Sequence, residues 1–354
     1  MKKRNLLITF DYELFLGSRS GRPENCVIQP TQLLDKVLTS FKTKGVFFVD
    51  TTYLLKLREL SAKHPSCAED LKLISKQLVT LLDNGHYVFP HIHPHWLDAI
   101  YLPQQREFDL SNVQKYRFHY LSQEEKQKVF NGSMEVLQEI LLRNHPHYKI
   151  NAFRAGGWCI QPFSDFRPFF EKHRIEYDMS VISGLYQFST AQQFDFTEAP
   201  RKPVYRFMQE VSKEDTNGSF IQLCGSVIDM PQNTDLLHRI HRKVINRTGQ
   251  GREYGSGQGQ TPAIVSSMKP VSSSGYDINE KGREFASLEK LGLFKLPAYL
   301  HHLKHHNYLH LISHPKMINR HQIYILRKML ESAYRNDHPE TDYMNIASSY
   351  VSLN

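Results

Sequence analysis

The chain has 354 residues, 40% of them hydrophobic, which is enough for two average domains or one large α/β barrel. Lys and Arg exceed Asp and Glu by 44 − 36 = 8, but the positive charge is scattered, which argues against a nucleic-acid-binding stripe. The four cysteines, Cys26, Cys67, Cys159 and Cys224, show no CxxC spacing and argue against a disulfide framework.

Strand-like and helix-like patterns alternate along the chain. The basic start, MKKRNLLITF, runs into an apolar stretch that stops at Asp11. That stretch is too short for a signal-peptide core, and no segment is long enough to span a bilayer, so a cytoplasmic protein is expected. Leu6–Phe10 reads as a buried parallel strand. Thr31 is placed to cap a helix whose Leu33, Leu34, Val37, Leu38 and Phe41 share a face, with Gly45 at its end. Val46–Val49 is the next strand. A helix with Leu71, Ile74, Leu78 and Leu81 inward leads to Gly85 and a strand at Tyr87–Ile92. Ser122 and Glu125 form a capping box before a helix reaching Leu142. Ile150–Phe153 reads as a strand, Phe163–His173 as a helix, and Tyr177–Val181 and Phe220–Cys224 as strands. Leu288–His306 reads as largely helical, Tyr308–Ile312 as the last strand, and Arg320–Arg335 as a closing helix. Residues 247–282 break the pattern: they are rich in Gly, Ser and Gln and read as an insertion. It is either a surface loop or a substrate lid through Arg252 or Tyr254. Repeated strand–helix units predict an α/β fold with a parallel-strand core, a distorted (β/α) barrel forming a single domain over residues 1–354.

Four short stretches carry chemistry, each at the end of a strand-like run: ITFDYE (8–13), HIHPH (91–95), FRAGGW (153–158) and LISHP (311–315). Asp11 and Glu13 are one pleat apart and face the same way. Two such carboxylates are costly to place unless they serve a cation or a reaction. His91, His93 and His95 surround Pro94. A metal needs ligand nitrogens close together, and spacing alone leaves the pairs 91/93, 93/95 and 91/95 open. Arg154 can hold Asp11 ionised, and Trp158 can form an apolar wall or stack on a sugar. His314 suits a proton donor to a leaving amine. Together these are the parts of a metal-assisted hydrolase.

These stretches resemble the motifs of the polysaccharide deacetylases, the NodB-homology group of carbohydrate esterases. The likeness spans roughly residues 5–182 and 290–335. TFDYE is similar to the first motif, which makes Asp11 the counterpart of the catalytic base. GHYVFPHIHPH is similar to the second, whose histidines four apart bind metal, which implies His91 and His95. FRAGGW matches the third through Arg154, and LISHP matches the last, making His314 the counterpart of the catalytic acid. GVFFVDTTYLL is similar to the family's second strand. The usual adjacent aspartate pair is replaced by Asp11-Tyr12-Glu13, so Glu13 is the implied third ligand. The fourth motif has Asp178 as its nearest candidate.

The resemblance implies a metal-dependent N-deacetylase acting on an N-acetylated amino sugar in a glycan or in a nucleotide- or lipid-linked precursor. It implies one divalent ion, zinc in first place, held by Glu13, His91 and His95. Asp11, His314 and Arg154 are the catalytic set, with Tyr12, Trp158 and Asp178 as substrate contacts. A cytoplasmic enzyme of this kind would serve surface polysaccharide biosynthesis. The basic surface admits peripheral association with a lipid-linked glycan, and no nucleic-acid partner is expected. Two alternatives stand beside it: a same-fold amidohydrolase acting on a cyclic non-sugar amide, and a glycan-binding protein without catalysis.

Overall fold

A computed structural model describes residues 3–232, 234–265, 278, 282–335 and 337–351. Eight strands form the main sheet: β1 (Asn5–Tyr12), β2 (Gly45–Asp50), β3 (Tyr87–Ile92), β4 (Ala152–Ala155), β5 (Tyr177–Asp178), β6 (Val204–Phe207), β7 (Phe220–Leu223) and β8 (Tyr308–Ser313). Their spatial order is β6-β7-β5-β4-β3-β2-β1-β8, and every neighbouring pair is parallel except β6 with β7. The buried strands are near-continuous apolar runs, as a parallel sheet covered by helices requires.

The two ends of the parallel sheet meet. Just past β7, the carbonyl of Cys224 accepts hydrogen bonds from Tyr308 Oη at 2.8 Å and from His310 Nδ1 at 3.0 Å, both on β8. The hydroxyl of Ser226 accepts from the His310 amide at 2.9 Å. Ala286 then donates its amide to Ser226 O, and Ile312 donates to Ala286 O. The free edge of β8 is thus satisfied by irregular chain, not by a full strand, and the sheet curls into a distorted barrel. This is the architecture expected from the repeated strand–helix units.

The covering helices are α1 (Gln29–Ser40), α2 (Thr51–Leu60), α3 (Pro65–Asp83), α4 (Gln123–Leu141), α5 (Arg167–His173), α6 (Thr234–Arg247), α7 (Leu296–His306), α8 (Arg320–Ala333) and α9 (Tyr343–Ser348). The capping box of Ser122 and Glu125 is present at the start of α4. Helix α1 begins two residues before Thr31: a π-turn at Glu24–Ile28 feeds it, and Pro30 fits the first turn because it has no amide hydrogen to satisfy. The expected helix over Leu288–His306 forms only from Leu296, where Pro297 sits in the first turn. The strand read at Tyr177–Val181 is only two residues long, because the chain turns at Ser180, whose amide and hydroxyl both bond the carboxylate of Asp178.

Phe130 on α4 anchors the helix layer to the sheet. Its ring stacks on Phe153 of β4 at 5.5 Å and on Phe169 of α5 at 4.7 Å between centroids, and it is fully buried. Phe130→Ala should leave a cavity among these rings and cost about 3–5 kcal/mol of stability, read from a shifted denaturant midpoint.

Candidate metal and catalytic site

All the chemistry-bearing side chains gather at the C-terminal ends of the parallel strands, where α/β barrels place their sites. The pleat of β1 decides which of its residues take part. Thr9, Asp11 and Glu13 alternate to the barrel interior, whereas Phe10 and Tyr12 point to the helices. Phe10 stacks on Phe47 at 4.9 Å, and Tyr12 donates its hydroxyl to Gln77 of α3 at 2.8 Å. The expected substrate contact through Tyr12 is therefore corrected: its ring is buried on the other face of the strand.

Arg154, on β4, is completely buried. It donates to Asp11 Oδ1 at 2.5 Å, Thr9 Oγ1 at 2.8 Å and the Met179 carbonyl at 2.9 Å. Its Nη2 lies 3.2 Å from His310 Nε2. Burial, then Arg154, pushes the pKa of His310 down to about 3. The ring is therefore neutral, with Nδ1–H given to Cys224 O and Nε2 left to accept. For Asp11, burial alone would raise the pKa. Arg154, followed by His91 and His314, outweighs it and holds the carboxylate ionised.

Three donors meet at one point: Glu13, His91 and His93, with ligand atoms all within 4.8 Å of one another. Glu13 Oε2 lies 2.5 Å from His93 Nε2 and 3.3 Å from His91 Nε2, and the two imidazole nitrogens are 3.1 Å apart. His91 Nδ1 donates to the Arg154 carbonyl at 2.9 Å, which fixes its tautomer and leaves Nε2 with a lone pair facing Glu13. One carboxylate and two imidazoles are a donor set suited to zinc or a similar divalent ion. Of the expected ligands, Glu13 and His91 fall in this cluster with His93, while His95 lies outside it. His91 and His93 lie two apart on extended chain and face the same way. The 3-10 turn at Pro94–Asp98 then carries His95 aside, where it stacks on Tyr116 at 5.2 Å with the planes 7° apart. Burial, then His93, pushes its pKa well below the usual range. His93 itself is held by its amide, which donates to Thr52 Oγ1 in the first turn of α2 at 2.8 Å.

His314 follows β8 and faces the same space. Its Nε2 lies 3.6 Å from Asp11 Oδ2 and 3.8 Å from Glu13 Oε1. Behind it, Nδ1 is 3.1 Å from Glu289 Oε1, and the His314 amide also donates to that oxygen. Burial would lower the pKa of His314; the Glu289 hydrogen bond and charge, with Asp11 and Glu13, outweigh this and raise it.

Two participants were not legible as such in the sequence. Glu289 lies in an irregular segment that reads as helix. Lys316 follows His314 by two residues and reaches Glu13 Oε1 at 2.9 Å and the Leu14 carbonyl at 2.7 Å. Burial would raise the Glu13 pKa, but Lys316 and the histidines hold it well below the usual range.

Exposure rises steadily through the site, from 0% for the Arg154 side chain through 4% for Asp11 and 12% for Glu13 to 24% for His314. His314 opens onto a cleft of about 560 Å³ lined by Arg242, Arg252, Phe285, Glu289 and Lys290, among others. Trp158 remains partly exposed and packs edge-on against Phe285, which lines this cleft, at 5.5 Å. Asp178 does not reach it. It is fully buried, tied to Ser180, and burial pushes its pKa up to about 6; the expected substrate contact is corrected to a brace for the β4–β5 layer.

Of the expected insertion, residues 247–265 and Gly282 are described, with Ile278; the rest lies outside the described residues. The described part is laid against the site by backbone bonds from Tyr254 to Ile318 O, Gly255 to Lys316 O and Gln258 to Arg19 O. Gly257 is required there: a Cβ would come within 2.5 Å of the Phe15 ring. Arg252 lines the cleft, as a lid would need.

No family model matches the sequence, and no curated protein matches it. Similar solved structures include a candidate polysaccharide deacetylase from Mycobacterium smegmatis. It has 14% identity and a TM-score of 0.44, over 98% of this chain and 91% of that one. They also include the peptidoglycan deacetylase PdaC from Bacillus subtilis, with 17% identity and a TM-score of 0.23, over 44% of this chain and 50% of that one.

Replacing Arg154 by Met would strand the Asp11 carboxylate in the barrel. The expected loss is about 3–5 kcal/mol of unfolding free energy, checked by denaturant titration; a loss under about 1 kcal/mol would remove Arg154 as the central counter-charge.

Proposed function

We propose that the chain is a metal-dependent hydrolase that removes an N-acetyl group from an amino sugar in a glycan or glycan precursor. The observation that carries this reading is the convergence of Asp11 Oδ2 and His314 Nε2, 3.6 Å apart, beside the Glu13–His91–His93 donor set, with each of the two backed by its own partner. That is a candidate base and a candidate acid within reach of one metal-binding donor set.

The resident ion, zinc in first place, would be held by Glu13, His91 and His93. When bound, it would polarise the acetamide carbonyl and lower the pKa of water. Asp11 Oδ2 takes a proton from the attacking water, while Oδ1 stays on Arg154. The oxygen of that water bonds to the acetyl carbon, the C–N bond breaks, and His314 Nε2 gives its proton to the departing nitrogen. Glu289 keeps His314 in the tautomer and charge state needed for that donation. The products are acetate and a free amino sugar. Trp158 and Phe285 offer apolar surface to a sugar face, and substrate enters from the cleft beside His314.

One observation favours a second reading. Lys316 Nζ already sits on Glu13 Oε1. In that reading the ammonium is the cation of the site, and the cleft binds an acetylated glycan without hydrolysing it.

Metal content after dialysis separates the two. Wild type should retain about one divalent ion per chain, His93→Ala should lose it, and His95→Ala should keep it. Loss in His95→Ala alone would restore the spacing-four ligand pair, and no ion in wild type after reloading would favour the Lys316 reading. Asp11→Asn should slow acetate release by ~10²–10⁴-fold with metal retained; undiminished turnover would remove Asp11 as the base.

A further inference from the structure

Helix α6 carries an apolar stripe that is left exposed among the described residues. Leu236, Ile240 and Val244 recur every fourth residue with Leu237 alongside, and they are 54%, 54%, 51% and 46% exposed. The opposite side of the helix is its packed side. Thr234 and His238 are buried, and Gly292 lies so close to His238 that a Cβ there would meet its ring at 2.6 Å. A second segment widens the apolar face. Leu293 and Phe294 are 44% and 43% exposed, and the Phe294 ring lies 5.5 Å from that of His241, at the margin of the stripe.

Cations border this face. The helix holds Arg239, Arg242, Lys243 and Arg247 against Asp235 alone, a balance of 4 − 1 = +3. On a helical wheel Lys243 and Arg247 fall at the edge of the stripe, and neither forms an ion pair among the described residues. An exposed apolar stripe edged by Lys and Arg, on a helix too short and too polar to cross a bilayer, is the pattern of a helix lying in a membrane interface.

We propose that α6, with Leu293 and Phe294, docks the protein on an anionic lipid bilayer. The apolar side chains enter the boundary between headgroups and acyl chains, and Lys243 and Arg247 meet lipid phosphates. Charge decides against a second copy as the occupant, because isologous pairing would bring the same cations face to face. The same helix supplies Arg242 and Ile245 to the cleft beside His314, from the side away from the stripe. One helix diameter, about 10–12 Å, therefore separates the cleft from the docked face. A substrate presented at the membrane surface would be within its reach. This extension rests on the hydrolase reading; the docking itself does not.

Cosedimentation of the full chain with vesicles tests the docking, without substrate. The chain should sediment with mixed phosphatidylglycerol and phosphatidylcholine vesicles, far less with phosphatidylcholine alone, and less in raised salt. Ile240→Glu should abolish sedimentation. Lys243→Ala should cut partitioning about fivefold, the equivalent of about 1 kcal/mol for a cation near the surface. No sedimentation with the mixed vesicles, or no effect of Ile240→Glu, overturns the proposal. Lipid-free dimerisation abolished by Ile240→Glu would also overturn it and give the face to a second copy. Any of these failures leaves the metal and turnover measurements on the site untouched.

Discussion

The buried pair of Arg154 and Asp11 is the constraint around which the barrel is arranged. A guanidinium with no exposed surface is tolerable only when every donor is used and its charge is met, since desolvating it costs several kcal/mol. Here its four partners come from three places: Asp11 and Thr9 on β1, the Met179 carbonyl after β5, and neutral His310 on β8. Its plane lies over the Phe48 ring of β2, 4.4 Å from the centroid. One side chain therefore ties the opened and closed sides of the sheet together. It also fixes Asp11 in the ionised form, so a structural requirement and a chemical one are met by the same contact.

Closure of the barrel follows from the same neighbourhood. His310 can accept from Arg154 only because its other nitrogen donates to Cys224, and Cys224 is where β7 ends and the irregular closing segment begins. The middle of the chain was hard to read for this reason. A strand as short as β6 carries little periodicity, and the closing segments at 224–226 and 286–288 are set by partners far away in sequence. The long strands β1, β2, β3 and β8 were legible because both faces are buried and the apolar runs are unbroken. The capping box at Ser122 was legible because it is wholly local.

The site divides along the same line. Asp11, Glu13, His91, Arg154 and His314 stand at the ends of legible strands, and the structure brings them together. Spacing left the histidine pairs open and the resemblance implied His95, but the backbone changes from strand to 3-10 turn at Pro94, and only extended chain keeps alternate residues on one face. Tyr12 and Asp178 fail as surface residues for related reasons, one by the pleat and one by a turn that buries its carboxylate. Glu289 and Lys316 carry no local signal at all, because each acquires its role only from what folds against it. Helix α6 had a local signal, an every-fourth apolar spacing with cations between, but it borders the Gly- and Ser-rich stretch and its apolar side faces outward, so it belongs to no core.

The gradient of exposure through the site gives a direction to its chemistry. Charge is most strongly fixed at the bottom, where Arg154 and Asp11 are dry and the interaction between them is weakly screened. The donor set of Glu13, His91 and His93 lies above, and His314 stands at the mouth with the largest open surface. A group entering from the cleft meets His314 first and Asp11 last. Outside it lie Phe285, with Trp158 packed edge-on against it, and Arg252 of the described part of the insertion. Under the proposed hydrolysis, that ordering suits a large substrate that presents only a small amide to the barrel and keeps its bulk outside.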